Sequence, residues 1–147
     1  MEPENFEGLI VRPIQEPDFS KGLFSLLQVQ GDQNPIKSLI LSRLSNPNEF
    51  AYIVAENPET QQIVGLASVF IEYKFFRSGS KTAHLEKILL SDPCNSNLFN
   101  KLINILKSFS QSQGAYKILA TPDQSLTELY QSSGFTVHGI HMELVFS

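Results

Sequence analysis

The order of hydrophobic periods along the chain predicts an α/β fold of the α+β kind, a mixed and mostly antiparallel sheet of about six to seven strands flanked by about four helices. Three observations carry this. A short first strand leads into two helical stripes, strand-like runs with turn chemistry follow, and the chain closes in the order strand, loop, helix, strand, helix, strand. At 147 residues it is expected to form one domain over 1–147, burying roughly two-thirds of its unfolded surface around a single core.

Residues 9–14 are a short apolar run interrupted at Pro13, consistent with a first strand. Pro17 stands where a first-turn proline is tolerated. Phe19, Leu23, Leu26 and Leu27 then recur at helical spacing until Gly31 closes the helix. Asn34-Pro35 starts a second helix, with Ile36, Leu39, Ile40 and Leu44 as its apolar stripe and Asn46-Pro47 as its stop.

From residue 50 the period changes. Residues 50–56 and 62–73 are rich in β-branched and aromatic side chains, and Asn57-Pro58-Glu59-Thr60 has turn chemistry, so the two runs read as a hairpin. Gly65 within the second run signals a bulge or a close approach. A small, basic connection at 77–81 leads into a further antiparallel strand at 82–90. Leu98, Leu102, Ile105, Leu106 and Phe109 mark an amphipathic helix ending near Gly114. Residues 116–120 then form a short strand that a right-handed crossover places parallel to the previous one. Residues 125–133 read as a short helix closed by Gly134, and two extended pieces, 136–139 and 140–146, end the chain.

The formal charge of -4 and the scattered lysines exclude the electrostatic footprint of a general nucleic-acid binder. No basic segment leads into an apolar one at the N-terminus, and no apolar window has the length that spans a bilayer. A soluble, cytoplasmic protein with no membrane partner is therefore expected. The single cysteine, Cys94, forms no internal disulfide, and no Cys and His cluster has metal-ligand spacing, so no metal is expected. His84, His138 and His141 are scattered and read as ordinary sheet residues.

The order of elements, with Glu86 in the central strand, the loop Ser91-Asp92-Pro93-Cys94 and Tyr130 ahead of Gly134-Phe135, resembles the GNAT superfamily of acetyl-CoA-dependent N-acetyltransferases. Within it the chain is most similar to the eukaryotic glucosamine-6-phosphate N-acetyltransferases. That likeness rests on Arg12-Pro13 followed by Asp18-Phe19-Ser20-Lys21-Gly22, on Ile63-Val64-Gly65 running to Phe70-Ile71-Glu72-Tyr73-Lys74-Phe75, and on Ala115-Tyr116-Lys117-Ile118. It covers nearly the whole chain.

The resemblance implies a GNAT fold, acetyl-CoA as co-substrate, an amino-sugar phosphate as acceptor and a homodimer. Acetyl transfer to an amine needs the amine deprotonated, donors for the oxyanion and a proton for the departing thiolate. By the resemblance, the backbone of Ile88, Leu89 and Leu90 holds the acyl group, and Asn95, Ser96, Asn97, Asn100 and Lys101 take the place of the pyrophosphate site. Tyr130 faces the sulfur, and Glu86 deprotonates the amine through a water or orients the sugar. Lys74, with Arg77 or Lys81, meets the sugar phosphate, with Lys87 beside Glu86 on the acceptor side. Plainer readings stand next to these. Tyr130 on an amphipathic helix is equally a core aromatic, Glu86 a strand residue paired with Lys87 or a cross-strand lysine, and Lys74, Arg77 and Lys81 solvated loop charges.

In the pyrophosphate loop the sequence departs from the family pattern of a basic residue followed by spaced glycines, which lets amide donors approach the phosphates. Here the span reads Asn95, Ser96, Asn97, Leu98, Phe99, Asn100. Lys87 stands in place of an aspartate, Thr121 of an acidic residue and Leu126 of an asparagine that contacts CoA in the family. Acetyl-CoA binding is expected to be weakened, with loss if Phe99 or Asn100 fills the groove. The predicted function is acetyl transfer to glucosamine 6-phosphate at reduced activity. The alternatives are a catalytically impaired relative acting as a dimeric binding or regulatory protein, and an acetyltransferase with a changed donor or acceptor.

Overall fold

A computed structural model describes residues 1–76 and 78–146. One six-stranded sheet runs in sequence order. Its strands are β1 Glu4–Phe6, β2 Leu9–Pro13, β3 Phe50–Asn57, β4 Gln62–Tyr73, β5 Lys81–Leu90 and β6 Ala115–Leu119. Every neighbouring pair is antiparallel except β5 and β6, which are parallel across the α3 crossover (Ser96–Ser112).

The first helix expected from the Phe19 to Leu27 stripe is two pieces, a 3-10 turn at Glu16–Ser20 and α1 at Leu23–Leu26. Gly22 between them sits at φ +80°, a left-handed conformation that ends one turn and opens the next. α2 spans Asn34–Arg43. A short 3-10 turn, Gln124–Leu126, precedes α4, Thr127–Ser132.

The sheet divides the apolar residues into two clusters. On one face Phe19, Leu23, Phe24 and Ile40 pack on Tyr52, Val54, Ile63 and Leu66. On the other, Leu98, Phe99, Leu102, Ile103 and Leu106 of α3 pack with Tyr130 on Ile53, Ala55, Ala67, Val69, Ile71, Ala83 and Leu85. Alternation along β3 and β4 sends successive side chains to opposite clusters, so these two strands serve both cores, while the apolar residues of β5 join the α3 side.

Gly65 fulfils both readings made of it. The register shift opposite Ala55 and Glu56 leaves Val64 as an extra residue, and a Cβ built on Gly65 would lie 3.3 Å from both Ala55 Cβ and Leu90 Cδ2. Two expectations are corrected. β1 and its hairpin to β2 were not foreseen; the turn is Glu7-Gly8, both at positive φ (49° and 83°), as a two-residue hairpin turn requires. The pieces at 136–139 and 140–146 do not join the sheet of their own chain: Ile140, Met142, Leu144 and Phe146 are 75–89% exposed. No helix among the described residues is long and apolar enough to cross a membrane.

Candidate active site

The site is built around a break in β5. Ser68 opposes Lys87 and Val69 opposes Leu85, so Glu86 is the unmatched residue of a β-bulge. β6 pairs with β5 only from Lys81 to His84. Past His84 the two strands part. The β6-side backbone edge of residues 85–90, which includes Ile88, Leu89 and Leu90, has no strand partner among the described residues. Such an edge offers amides and carbonyls to an extended ligand as a neighbouring strand would.

Glu86 is reached from the opposite layer. Arg43 Nη1, at the end of α2, donates to Glu86 Oε1 at 2.8 Å, to Oε2 at 3.2 Å and to the Tyr52 hydroxyl at 2.6 Å. The partner of Glu86 is therefore Arg43, not Lys87 or a cross-strand lysine. Lys87 is exposed and joins no ion pair among the described residues. The Tyr52 hydroxyl is pushed above its usual range, first by burial. Arg43 and Tyr52 had no place in the sequence reading, because Arg43 is one of several polar residues on α2 and lies 43 positions from Glu86.

Further along the same face, His84 Nε2 meets Glu72 Oε2 at 2.7 Å while its ring stacks on Phe70 (4.8 Å, 12°). Lys74 Nζ is 3.0 Å from the same Glu72 oxygen. The hydrogen bond from His84, then that from Lys74, holds the Glu72 carboxyl below its usual range. Lys81 does not join them. Strand alternation places it with Ala83 and Leu85 on the α3 face, where its ammonium donates to the Gln113 carbonyl at 3.0 Å and lies over the Tyr73 ring. The predicted basic trio is thus split, and Arg77 lies outside the described residues.

The loop between β5 and α3 holds its own donors. Asp92 Oδ1 accepts from Cys94 N, the Cys94 carbonyl from Ser96 N, and Asn95, the N-cap of α3, from Leu98 N at 3.0 Å. The other polar side chains act as tethers. Asn97 donates to Glu7 at 3.0 Å, Asn100 accepts from Ser133 Oγ at 2.5 Å, and Lys101 pairs with Glu4 over the Phe6 ring. Asn97 N and the Ser96 hydroxyl have no partner among the described residues. Cys94 is an exposed free thiol.

Phe99 is 3% exposed and lies in the α3 core, with its ring 5.1 Å from that of Tyr130 at 72°. Tyr130 meets Phe135 in the same edge-on way. Burial, and then the charge of Asp123, raise its phenol above the usual range. Among the described residues nothing hydrogen-bonds its hydroxyl. The residue is therefore a core aromatic whose phenol keeps its proton at neutral pH. No group of three or more metal-ligating side chains occurs among the described residues.

A bulged strand with a free backbone edge, a fixed carboxylate on one side and a buried phenol on the helix side is an arrangement suited to acyl transfer onto an amine. No family model matches the chain. It is 30% identical over 141 residues to glucosamine 6-phosphate N-acetyltransferase of Trypanosoma brucei brucei, covering 92% of this chain and 95% of that protein. The chain belongs to the glucosamine 6-phosphate N-acetyltransferase family. A second member, glucosamine 6-phosphate N-acetyltransferase 1 of Dictyostelium discoideum, is 27% identical over 143 residues, 94% of this chain and 91% of its own. The fold of this family member matches the crystal structure of glucosamine-6-phosphate N-acetyltransferase from Arabidopsis thaliana with a TM-score of 0.87, at 24% identity over 96% of this chain and 100% of that one. It is the GNAT fold.

Proposed function

We propose that this protein transfers acetyl from acetyl-CoA to the amine of glucosamine 6-phosphate. The observation that carries the reading is the free edge of β5 past His84, flanked by Glu86 and Tyr130, in a chain of this family. The alternative of an impaired binding or regulatory relative is not favoured, since Phe99 is drawn into the core.

The backbone of Ile88, Leu89 and Leu90 receives the acyl arm, its amides donating to the acyl oxygen as negative charge develops there. Glu86 takes the amine proton through a water. The amine nitrogen then bonds to the acyl carbon as the carbon–sulfur bond breaks, and Tyr130 gives its proton to the leaving sulfur. Lys74, beside Glu72 and His84, is the cation on the acceptor face suited to the sugar phosphate. Lys87 borders that side.

Acetyl-CoA is proposed to bind weakly and turnover to be low. Cys94 N, Ser96 N and Leu98 N, the amides expected to meet the pyrophosphate, already have acceptors in the loop. Asn97 N and the Ser96 hydroxyl are left as donors, near a helix N-terminus that favours an anion.

A homodimer formed through the tail is part of the same reading. Residues 136–146 expose Val137, Ile140, Met142, Leu144 and Phe146, while β6 is the outer strand of the sheet. Beside β6 is a cavity of about 450 Å³ lined by Ile103, Tyr116, Ile118 and Phe135 among others. The tail of a second copy fits the edge and the cavity, and removes apolar surface that a monomer leaves in water. A cytoplasmic location is also proposed.

Thiol release from acetyl-CoA in the presence of glucosamine 6-phosphate tests the activity. Turnover that requires both compounds is expected. No turnover, with no calorimetric binding of millimolar acetyl-CoA, would eliminate an enzymatic role.

A further inference from the structure

Arg43 has no role in the chemistry above, yet its contacts converge on that chemistry. A single nitrogen, Nη1, serves both oxygens of Glu86 and the Tyr52 hydroxyl. The guanidinium carbon lies 4.9 Å from the centroid of the Phe50 ring, so the planar head is held by a ring on one side and by a phenol at its tip. The contacts join three elements, the last residue of α2, two residues of β3 and the bulge of β5.

A bulge needs such a brace. In a regular strand a side chain is fixed by its directly opposed neighbour, but Glu86 has none, because the register passes from Leu85 to Lys87. Lys87 is exposed and makes no ion pair among the described residues, and Lys74 is engaged with Glu72. Arg43 is the cation that meets Glu86. A partly exposed ion pair contributes little to stability, so its consequence lies in where it holds the carboxylate. Arginine suits this better than lysine, since a planar guanidinium held over an aromatic face fixes direction as well as charge.

We propose that Arg43, braced by Tyr52 and Phe50, is a positioning residue that aims the Glu86 carboxylate at the acceptor amine. This inference rests on the acetyl-transfer reading and on Glu86 in particular. Misplacing a proton-accepting group by about 1 Å costs on the order of 100-fold in rate without changing the chemistry available.

The test is steady-state thiol release by the full chain for the wild type, R43M, R43K, Y52F, E86Q and the double variant R43M/E86Q. E86Q is expected to lower kcat by about 100-fold, and R43M by about 10- to 100-fold, with the KM for acetyl-CoA held within about twofold. R43K should recover part of the loss. The double variant should be no slower than E86Q, since a residue acting through Glu86 has nothing left to act on. Losses that multiply in the double variant, or an R43M enzyme at wild-type kcat beside a crippled E86Q, overturn the inference. If E86Q keeps full turnover, the role of Glu86 itself falls, a separate failure from one confined to Arg43. Should R43M not fold, by circular dichroism, Y52F decides. A several-fold drop in kcat, on the order of one lost hydrogen bond, that vanishes in the E86Q background supports the brace, and no drop removes it.

Discussion

The rings of Phe99 and Tyr130 meet edge to face, with centroids 5.1 Å apart and planes at 72°. This geometry lets one tyrosine be a core side chain and also the proposed proton donor of the reaction, since a T-shaped pair fixes the ring and leaves the hydroxyl apart from the contact. Phe135 holds the other side of the same ring.

Replacing Tyr130 with Phe keeps both ring contacts and removes the proton. kcat is expected to fall by about 100-fold, with the thermal midpoint within about 2 °C of wild type, since one unpaired hydroxyl adds little to stability. Because burial raises the phenol pKa above its ordinary value of about 10, the donor is present throughout the neutral range. The pH–rate profile should therefore show no loss assignable to Tyr130 below pH ~10. Turnover indifferent to Y130F would take this residue out of the mechanism.

Truncating the partner ring acts on stability instead. Phe99→Ala removes a side chain that is 3% exposed from the α3 core, and a loss of about 3–5 kcal/mol is expected in urea unfolding. If F99A were as stable as wild type and bound acetyl-CoA more tightly, Phe99 would be filling the groove after all.

Away from the site, Arg12 grips Asp18 with two parallel bonds of 2.7 Å and also meets Glu56, which Lys21 reaches at 3.1 Å. Asp18 is fully buried, so Asp18→Asn leaves the guanidinium short of a charge, and a cost of about 3–5 kcal/mol is expected.

The same cluster gives the protein an acid limit. Burial opposes ionisation of Asp18 and Glu56, but the bonds from Arg12, with Gln15 N and Lys21 added, prevail, so both carboxyls titrate below their ordinary range. A lowered folded-state pKa contributes stability that is present above the unfolded value of about 4 and is lost as pH falls through the folded value. Urea midpoints should therefore be flat from pH ~7 to ~5 and fall below pH ~4. In D18N that fall should be shallower; an equal slope in both proteins would show that the cluster does not set the acid limit.

The loop admits a gain-of-function test. Asn95→Arg with Ser96→Gly and Asn100→Gly replaces the Asn95 cap, the Ser96 hydroxyl and the Asn100 tether with a cation and bare backbone, and about tenfold tighter acetyl-CoA binding is expected by calorimetry. Asn95→Ala alone removes the cap on Leu98 N and should cost about 1 kcal/mol of stability. Unchanged affinity in the triple variant would show that these donors do not limit binding.

The helical stripe from Leu98 to Phe109, the hairpin across Asn57-Pro58 and the parallel β6 were legible from the chain because each depends on neighbours a few positions apart. So were the places of Glu86 and Tyr130, through short segments shared with the family. The chain alone thus carried the main order of strands and helices, the family likeness and the identity of the residues available for chemistry, but not β1 or the tail that stays apart from the sheet. The tertiary structure alone decided what each polar residue does: that Arg43 meets Glu86, that Lys81 turns to the α3 face while Lys74 stays with Glu72, and that Asn97, Asn100 and Lys101 reach Glu7, Ser133 and Glu4. Lys81 follows strand alternation ahead of the bulge, the α3 side chains follow how that helix docks, and for Glu86 the cause is register. A shift of one residue in a strand exchanges its two faces. The bulge at Glu86 imposes such a shift midway along β5, so which charges meet is settled only when β4 and β5 pair.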